Sequence, residues 1–508
     1  MDADGTVPRV EQASSRRRRT ADALALLILT VPLAVERALL IGRSAPTAAD
    51  ETLYLMQALD WLGKFIKLSP DVHRTWGVPA VIAPVAWATS NVSAYRVVFG
   101  ALGVALCVVV YRIGRRFLDP IPAAFGALML GLSSTALIGS IQLLPDTASA
   151  LGVAAAFLFY WGRVVATPSG EPPRSLWPVG AAVGAVFYFN IAFAAFAAAA
   201  IGLDLLIFRR RNIASLPVFA GALALGLSVL PYFLTIWVRY GNPLHTIRIG
   251  LTGVGGTGPT GDPGYALYAR WFLDSGRFFG PFWGIVLIAG VATLIYALAR
   301  GTPVPRRDAT ALAIWLVVPT LATAFLFHAE ERYMLPWFAP LFLSLGLLVQ
   351  LSLGSVTGTR RALGVIALSA VLVAGAAQFG VAEYGPSART TDRKVRDFGF
   401  MHRVAALLPG RGARPPCLVY ARFPREVELH TGCSTARFNG RDEEKLLDEA
   451  SGFRYATFYV WFTGLVGDEA YQPSFLEGYL QHRTMLVATV NSSSSLGTAY
   501  IYRFVPRE

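Results

Sequence analysis

The chain has 508 residues, of which 54% are hydrophobic and 15% charged, with a mean hydropathy of +0.49. That composition excludes a soluble multidomain protein, because water cannot be the main solvent of so apolar a chain. The net charge of +13 raises nucleic acid as a partner, but the arginines sit between apolar runs. This is the positive-inside pattern of a membrane protein, and it argues against nucleic-acid binding.

In chain order, residues 1–20 form a basic segment that ends in Arg16, Arg17, Arg18 and Arg19. The apolar run that follows continues to residue 42 without a small-residue cleavage site, so it reads as a retained first span. Further runs near the ~20 residues needed to cross the hydrocarbon core give eleven expected spans. They lie at residues 21–42, 92–111, 121–139, 147–162, 176–189, 192–208, 216–238, 279–299, 310–327, 334–353 and 363–382. The fifth is short and the turn at Asn190 is tight. With basic loops inside, this all-α membrane domain (residues 21–382) is a multi-pass protein of the cell (inner) membrane. The N-terminus is then cytoplasmic and the C-terminus extracytoplasmic.

Two longer segments fall outside. The first outer loop, residues 43–91, carries Leu53, Leu55, Met56, Leu59, Leu62, Phe65 and Ile66 at helical spacing, which predicts a helix on the membrane surface. The second, residues 239–277, is Gly-rich from Leu251 to Gly264 and reads as a ligand-ordering loop or as a plain connector. From residue 383 to 508 charges return and apolar runs shorten. Strands are expected at residues 417–420, 456–462, 485–490 and 499–504, with helices at 441–451 and 473–482, giving a small extracytoplasmic α/β domain. Cys417 and Cys433 both lie in this domain. An oxidising compartment permits a disulfide between them, and two unpaired buried thiols are the other reading.

The chemistry-bearing residues cluster on the expected outer face. Asp50 and Glu51 are adjacent carboxylates just beyond the first span, where simple anchoring prefers aromatic and basic residues. Neighbouring side chains on a helix diverge by about 100°, so one acid can face a cavity while the other braces a loop. A helix cap followed by a first-turn Glu explains the same pair more simply. Asp146 follows Pro145 and can be a support for the same pocket or a cap. The turn from His328 through Glu330, Glu331, Arg332 and Tyr333 packs ionisable side chains at a membrane edge, as a functional cluster or as an internal salt bridge. Among cations on this face, His73, Arg74 and Arg248 are candidates for a phosphate, arginine because its planar fork matches phosphate oxygens.

These landmarks resemble the GT-C fold glycosyltransferases, in particular the integral-membrane relatives of protein O-mannosyltransferases and of the aminoarabinose transferase acting on lipid A. The matching residues are Asp50-Glu51-x-x-Tyr54 after the first span, Arg96 opening the second and Pro145-Asp146 before the fourth. Arg332-Tyr333-x-x-Pro336 leads into a late span, and an outer α/β domain closes the chain. The resemblance implies an inverting transfer from a polyprenyl-phosphate sugar to a hydroxyl of a lipid, glycan or protein acceptor, with Asp50 as general base. No cofactor is required, and the residues themselves leave a divalent metal near Asp50 and His328 as an open option. The sequence departs at Leu53, where some relatives carry arginine, and His73 or Arg74 is the expected replacement at the phosphate. A transporter or flippase of a lipid-linked saccharide is the rival class. The chain shows no internal repeat, and its polar residues cluster at the membrane edge rather than at the midplane, which favours an enzyme.

Overall fold

A computed structural model describes residues 7–43, 46–47, 50–64, 75–167, 171, 173–208, 213, 215–247, 265, 280–324, 331–355, 361–421, 424–436, 456–464 and 483–505. The chain divides into two compact units. The first comprises residues 1–39, 75–77 and 97–387, and the second residues 40–74, 78–96 and 388–508.

The elements before the second extramembrane stretch are α1 (Val7–Gly42), α2 (Asp50–Trp61), α3 (Gly77–Ala88), α4 (Val92–Gly114), α5 (Pro120–Leu132), α6 (Ser134–Ser140), α7 (Pro145–Tyr160), α8 (Trp177–Phe187), α9 (Ile191–Phe208) and α10 (Leu216–Tyr240). Then come α11 (Gly280–Arg300), α12 (Arg306–Ala324), α13 (Leu335–Ser355) and α14 (Arg361–Leu407). A helix therefore stands at each expected span. Among the described residues six helices are long and apolar enough to cross a membrane, or seven if α5 and α6, bent by 65° at Ser133, form one span. Such helices satisfy their own backbone groups, as the bilayer requires. The chain is an integral membrane protein.

In the first unit, α8 is short and packs on α10 through small residues. A Cβ at Gly180 would stand 1.9 Å from the Gly221 carbonyl, so glycine is what lets the two backbones meet. The tight turn into α9 is made by Asn190, whose side-chain oxygen accepts from the amides of Ala192 (3.0 Å) and Phe193 (3.3 Å). It serves as the N-cap of α9.

In the second unit, α2 ends at Trp61, earlier than the apolar spacing suggested, because Gly63 turns the chain at φ 65°. It buries Thr52, Leu53, Tyr54, Leu55, Met56 and Ala58. The remaining elements of this unit are β1 (Cys417–Ala421), α15 (Pro424–Thr431), β2 (Ser434–Ala436), β3 (Ala456–Phe462), β4 (Arg483–Val490) and β5 (Ala499–Val505). The sheet order is β2-β1-β3-β5-β4, with β1 parallel to β2 and β3 and the other pairings antiparallel. Phe400, Met401, Val404 and Leu408, from the last turns of α14 onward, form a core with Val419, Phe458, Val460, Phe462 and Ile501. Cys417 and Cys433 are joined by a disulfide across a Cα separation of 4.9 Å. It ties the start of β1 to the segment just before β2. The expected helices at 441–451 and 473–482, and the Gly-rich stretch from 251 to 264, lie outside the described residues.

Candidate active site

The two acids at the head of α2 go separate ways, as their 100° offset requires. Their placement in the first turn suits the positive end of the helix dipole. Glu51 turns inward and accepts from Arg96 Nη2 at 3.2 Å, and both side chains are buried. The same nitrogen reaches the Pro46 carbonyl at 3.4 Å. One guanidinium at the head of α4 thus fixes both the first turn of α2 and the segment that precedes it.

Asp50 points elsewhere. Its Oδ1 accepts from Arg425 Nη1 at 2.7 Å, with the two side chains 23% and 30% exposed. Arg425 is the second residue of α15, which Pro424 opens with a backbone angle already suited to a helix. Glu426 and Val427 beside it are buried, which anchors the helix on the sheet. Tyr54, one turn along α2 from Asp50, is also buried.

A third contact holds the approach to Asp50. His402 Nε2 donates to the Thr47 carbonyl at 2.5 Å, and His402 Nδ1 faces His430 Nε2 at 2.8 Å. A carbonyl only accepts, so Nε2 of His402 is the donor to Thr47, and the donor and acceptor at the His402–His430 contact follow from the tautomers of the two rings. Burial, and then the facing His402, hold the His430 imidazole below its ordinary range.

In the first unit, Asp146 is the second residue of α7, behind Pro145, and Leu144 takes the N-cap position instead. The carboxylate is 1% exposed and lies 3.7 Å from Arg332 Nη1. Arg332 sits in a short 3-10 turn, Glu331–Met334, that leads into α13. Its guanidinium stands 5.5 Å from the centre of the Tyr333 ring, a cation–π distance, and that ring meets Phe193 edge-on at 6.3 Å. Asp146, Arg332 and Tyr333 therefore form one cluster.

Of the sequence candidates, His73, Arg74, Arg248 and His328 lie outside the described residues, as does the side chain of Glu331. Sequence reasoning missed Arg425, His402 and His430. The available signal was a proline and an arginine opening a helix directly after a parallel strand, the end of a sheet where ligands commonly bind. Among the described residues no group of three or more His, Cys, Asp or Glu side chains could hold a metal ion.

Apolar helices, a pair of acids beyond the first of them and a C-terminal sheet belong to an integral membrane protein of the GT-C fold. Solved structures carry that assignment. ArnT from Cupriavidus metallidurans bound to undecaprenyl phosphate is similar over 94% of this chain and 97% of its own, with a TM-score of 0.64 and 13% identity. The Archaeoglobus fulgidus oligosaccharyltransferase matches 94% of this chain and 72% of its own, with a TM-score of 0.53 and 13% identity. The mycobacterial arabinofuranosyltransferase AftD matches 97% of this chain but 40% of its own, with a TM-score of 0.56 and 14% identity. No sequence-family model matches the chain, and no curated protein matches it.

Proposed function

We propose that the chain is a membrane glycosyltransferase that moves a sugar from a polyprenyl-phosphate carrier to an acceptor hydroxyl on the extracytoplasmic face, with inversion. The observation that carries this reading is Asp50. It stands at the head of α2, bonded by Arg425, in a fold shared with a protein whose solved structure holds undecaprenyl phosphate. In the proposed step the acceptor oxygen attacks the anomeric carbon and gives its proton to Asp50. The bond from that carbon to the carrier phosphate breaks, and the phosphate leaves with the electron pair. A carboxylate within hydrogen-bond reach of the hydroxyl is what this proton transfer needs. The departing phosphate needs fixed positive charge.

Glu51 has a supporting part, holding the first turn of α2 through Arg96. Arg332, oriented by Asp146 and Tyr333, is proposed to meet the carrier headgroup, and His73, Arg74 and Arg248 are assigned to the phosphate by their charge. His328 and Glu331 are assigned to the substrate on the same basis. No metal is required in this scheme, because arginines supply the charge that a divalent ion would otherwise supply. In this reading the basic loops face the cytoplasm by the positive-inside rule, with the N-terminus inside and the C-terminal sheet outside.

The test incubates purified full-length protein with a panel of radiolabelled polyprenyl-phosphate sugars and lipid, glycan and peptide acceptors. Donor-dependent product with the opposite anomeric configuration is expected. Absence of product with every donor overturns the reading, and so does movement of intact donor across a vesicle bilayer without cleavage.

A further inference from the structure

We infer that Arg425 is the positioning residue for Asp50, so that the C-terminal sheet region supplies part of the catalytic apparatus. The inference rests on the reading of Asp50 as the base. Arg425 and Asp50 are 375 residues apart in sequence, yet they meet through a 2.7 Å bond between Nη1 and Oδ1. A charge-assisted bond of this length is among the stronger directional contacts that a side chain makes.

The fold does not depend on this pair. Helix α15 is already held by Val427 in the core and by the disulfide at Cys433 just beyond its end. Half-exposed ion pairs contribute little to stability. What the pair does fix is the direction of one carboxylate. The contact holds Oδ1 of that carboxylate against Arg425 Nη1.

The neighbouring contacts serve the same end. Arg96 grips Glu51 and the Pro46 carbonyl, and His402 grips the Thr47 carbonyl three residues before Asp50. Pro46, Thr47 and Glu51 are thus held on either side of Asp50, and Arg425 adds a direct contact to its carboxylate. A base held this way is pre-aimed, which matters because small misplacements of a reacting group cost rate steeply.

The experiment compares full-length wild type, Arg425→Met, Arg425→Lys, Arg425→Ala and Asp50→Asn, with kcat and donor KM measured for a polyprenyl-phosphate sugar that wild type transfers. Arg425→Met should lose about 30-fold or more in kcat with donor KM within about twofold, the pattern of lost aim rather than lost binding. Arg425→Lys should recover most of that loss, and guanidinium ion should restore part of the activity of Arg425→Ala. A contact that merely held the fold together would not answer to guanidinium. Should Arg425→Met fail to fold, Arg425→Gln, which stays polar at similar length, is read in the same way. Near-normal kcat in either neutral variant, alongside inactive Asp50→Asn, overturns the inference and leaves the base assignment standing. Full activity in Asp50→Asn, or no transfer by wild type from any donor, overturns the underlying reading instead.

Discussion

Glu51 and Asp50 are adjacent acids, each bonded to an arginine, and they differ in what surrounds them. The Glu51–Arg96 pair is buried, with side chains 8% and 5% exposed, and it joins α2 to α4 within one unit. The Asp50–Arg425 pair is partly open to solvent and joins α2 to a helix of the C-terminal sheet region. Burial makes the first pair costly to break, since the surviving charge is left without compensation in a poor solvent. Partial exposure makes the second cheap to break but accessible to a reactant. Two residues with nearly the same chemistry thereby sit in different surroundings, and it is the more accessible one to which the role of base is proposed.

That division can be broken by stability measurements on the protein in detergent. Glu51→Gln should destabilise the second unit by ~3–5 kcal/mol, because it strands Arg96. Asp50→Asn should cost at most about 1 kcal/mol, because its partner remains hydrated. Chemical denaturation that gave the two variants equal losses would erase the distinction. Next in size is the disulfide. Cys417→Ser with Cys433→Ser opens a loop of sequence separation 16 and should cost ~3 kcal/mol on the chain-entropy account. Thermal melting with and without reductant reads this directly.

The smallest effect concerns pH. His430 is held below its ordinary range by burial and by His402, so the unfolded chain binds its proton more readily than the folded one. Stability from the neutral His430 ring is therefore complete above the unfolded value of ~6.5 and is lost as pH falls through the lower folded value. Melting temperatures should drop as pH falls through that window, and His430→Gln should flatten the dependence. An unchanged slope in the variant would remove His430 from the account.

How much of this was legible in the sequence follows from the range of each interaction. Apolar runs separated by arginines reveal helices because the pattern is local, and a helix does stand at every expected span. Strands β1, β3, β4 and β5 were legible for the same reason, from short β-branched and aromatic runs. Strand β2 was not, since three residues (Ser434–Ala436) carry no period to detect. Helix α14 runs on to Leu407, although its charged later turns looked like the start of a new region. Hydrophobicity, rather than helicity, changes at residue 383. The acids at 50 and 51 were legible as candidates because a bilayer edge is an unusual place for them. Their partners were not, because Arg425 meets Asp50 only through tertiary folding across 375 residues. Nor could spacing show that Arg332 belongs with Asp146 and Arg96 with Glu51.

The central claim is that Asp50 takes the proton. Asn is close in size to Asp and accepts a hydrogen bond, but its amide is not a base. Single-turnover transfer by folded Asp50→Asn protein, with donor binding measured in parallel, tests this most directly. The account predicts a loss of ~100-fold or more in rate with donor affinity retained. Near-normal transfer by that variant would contradict it, because Asn caps a helix about as well as Asp and only the structural role would then remain.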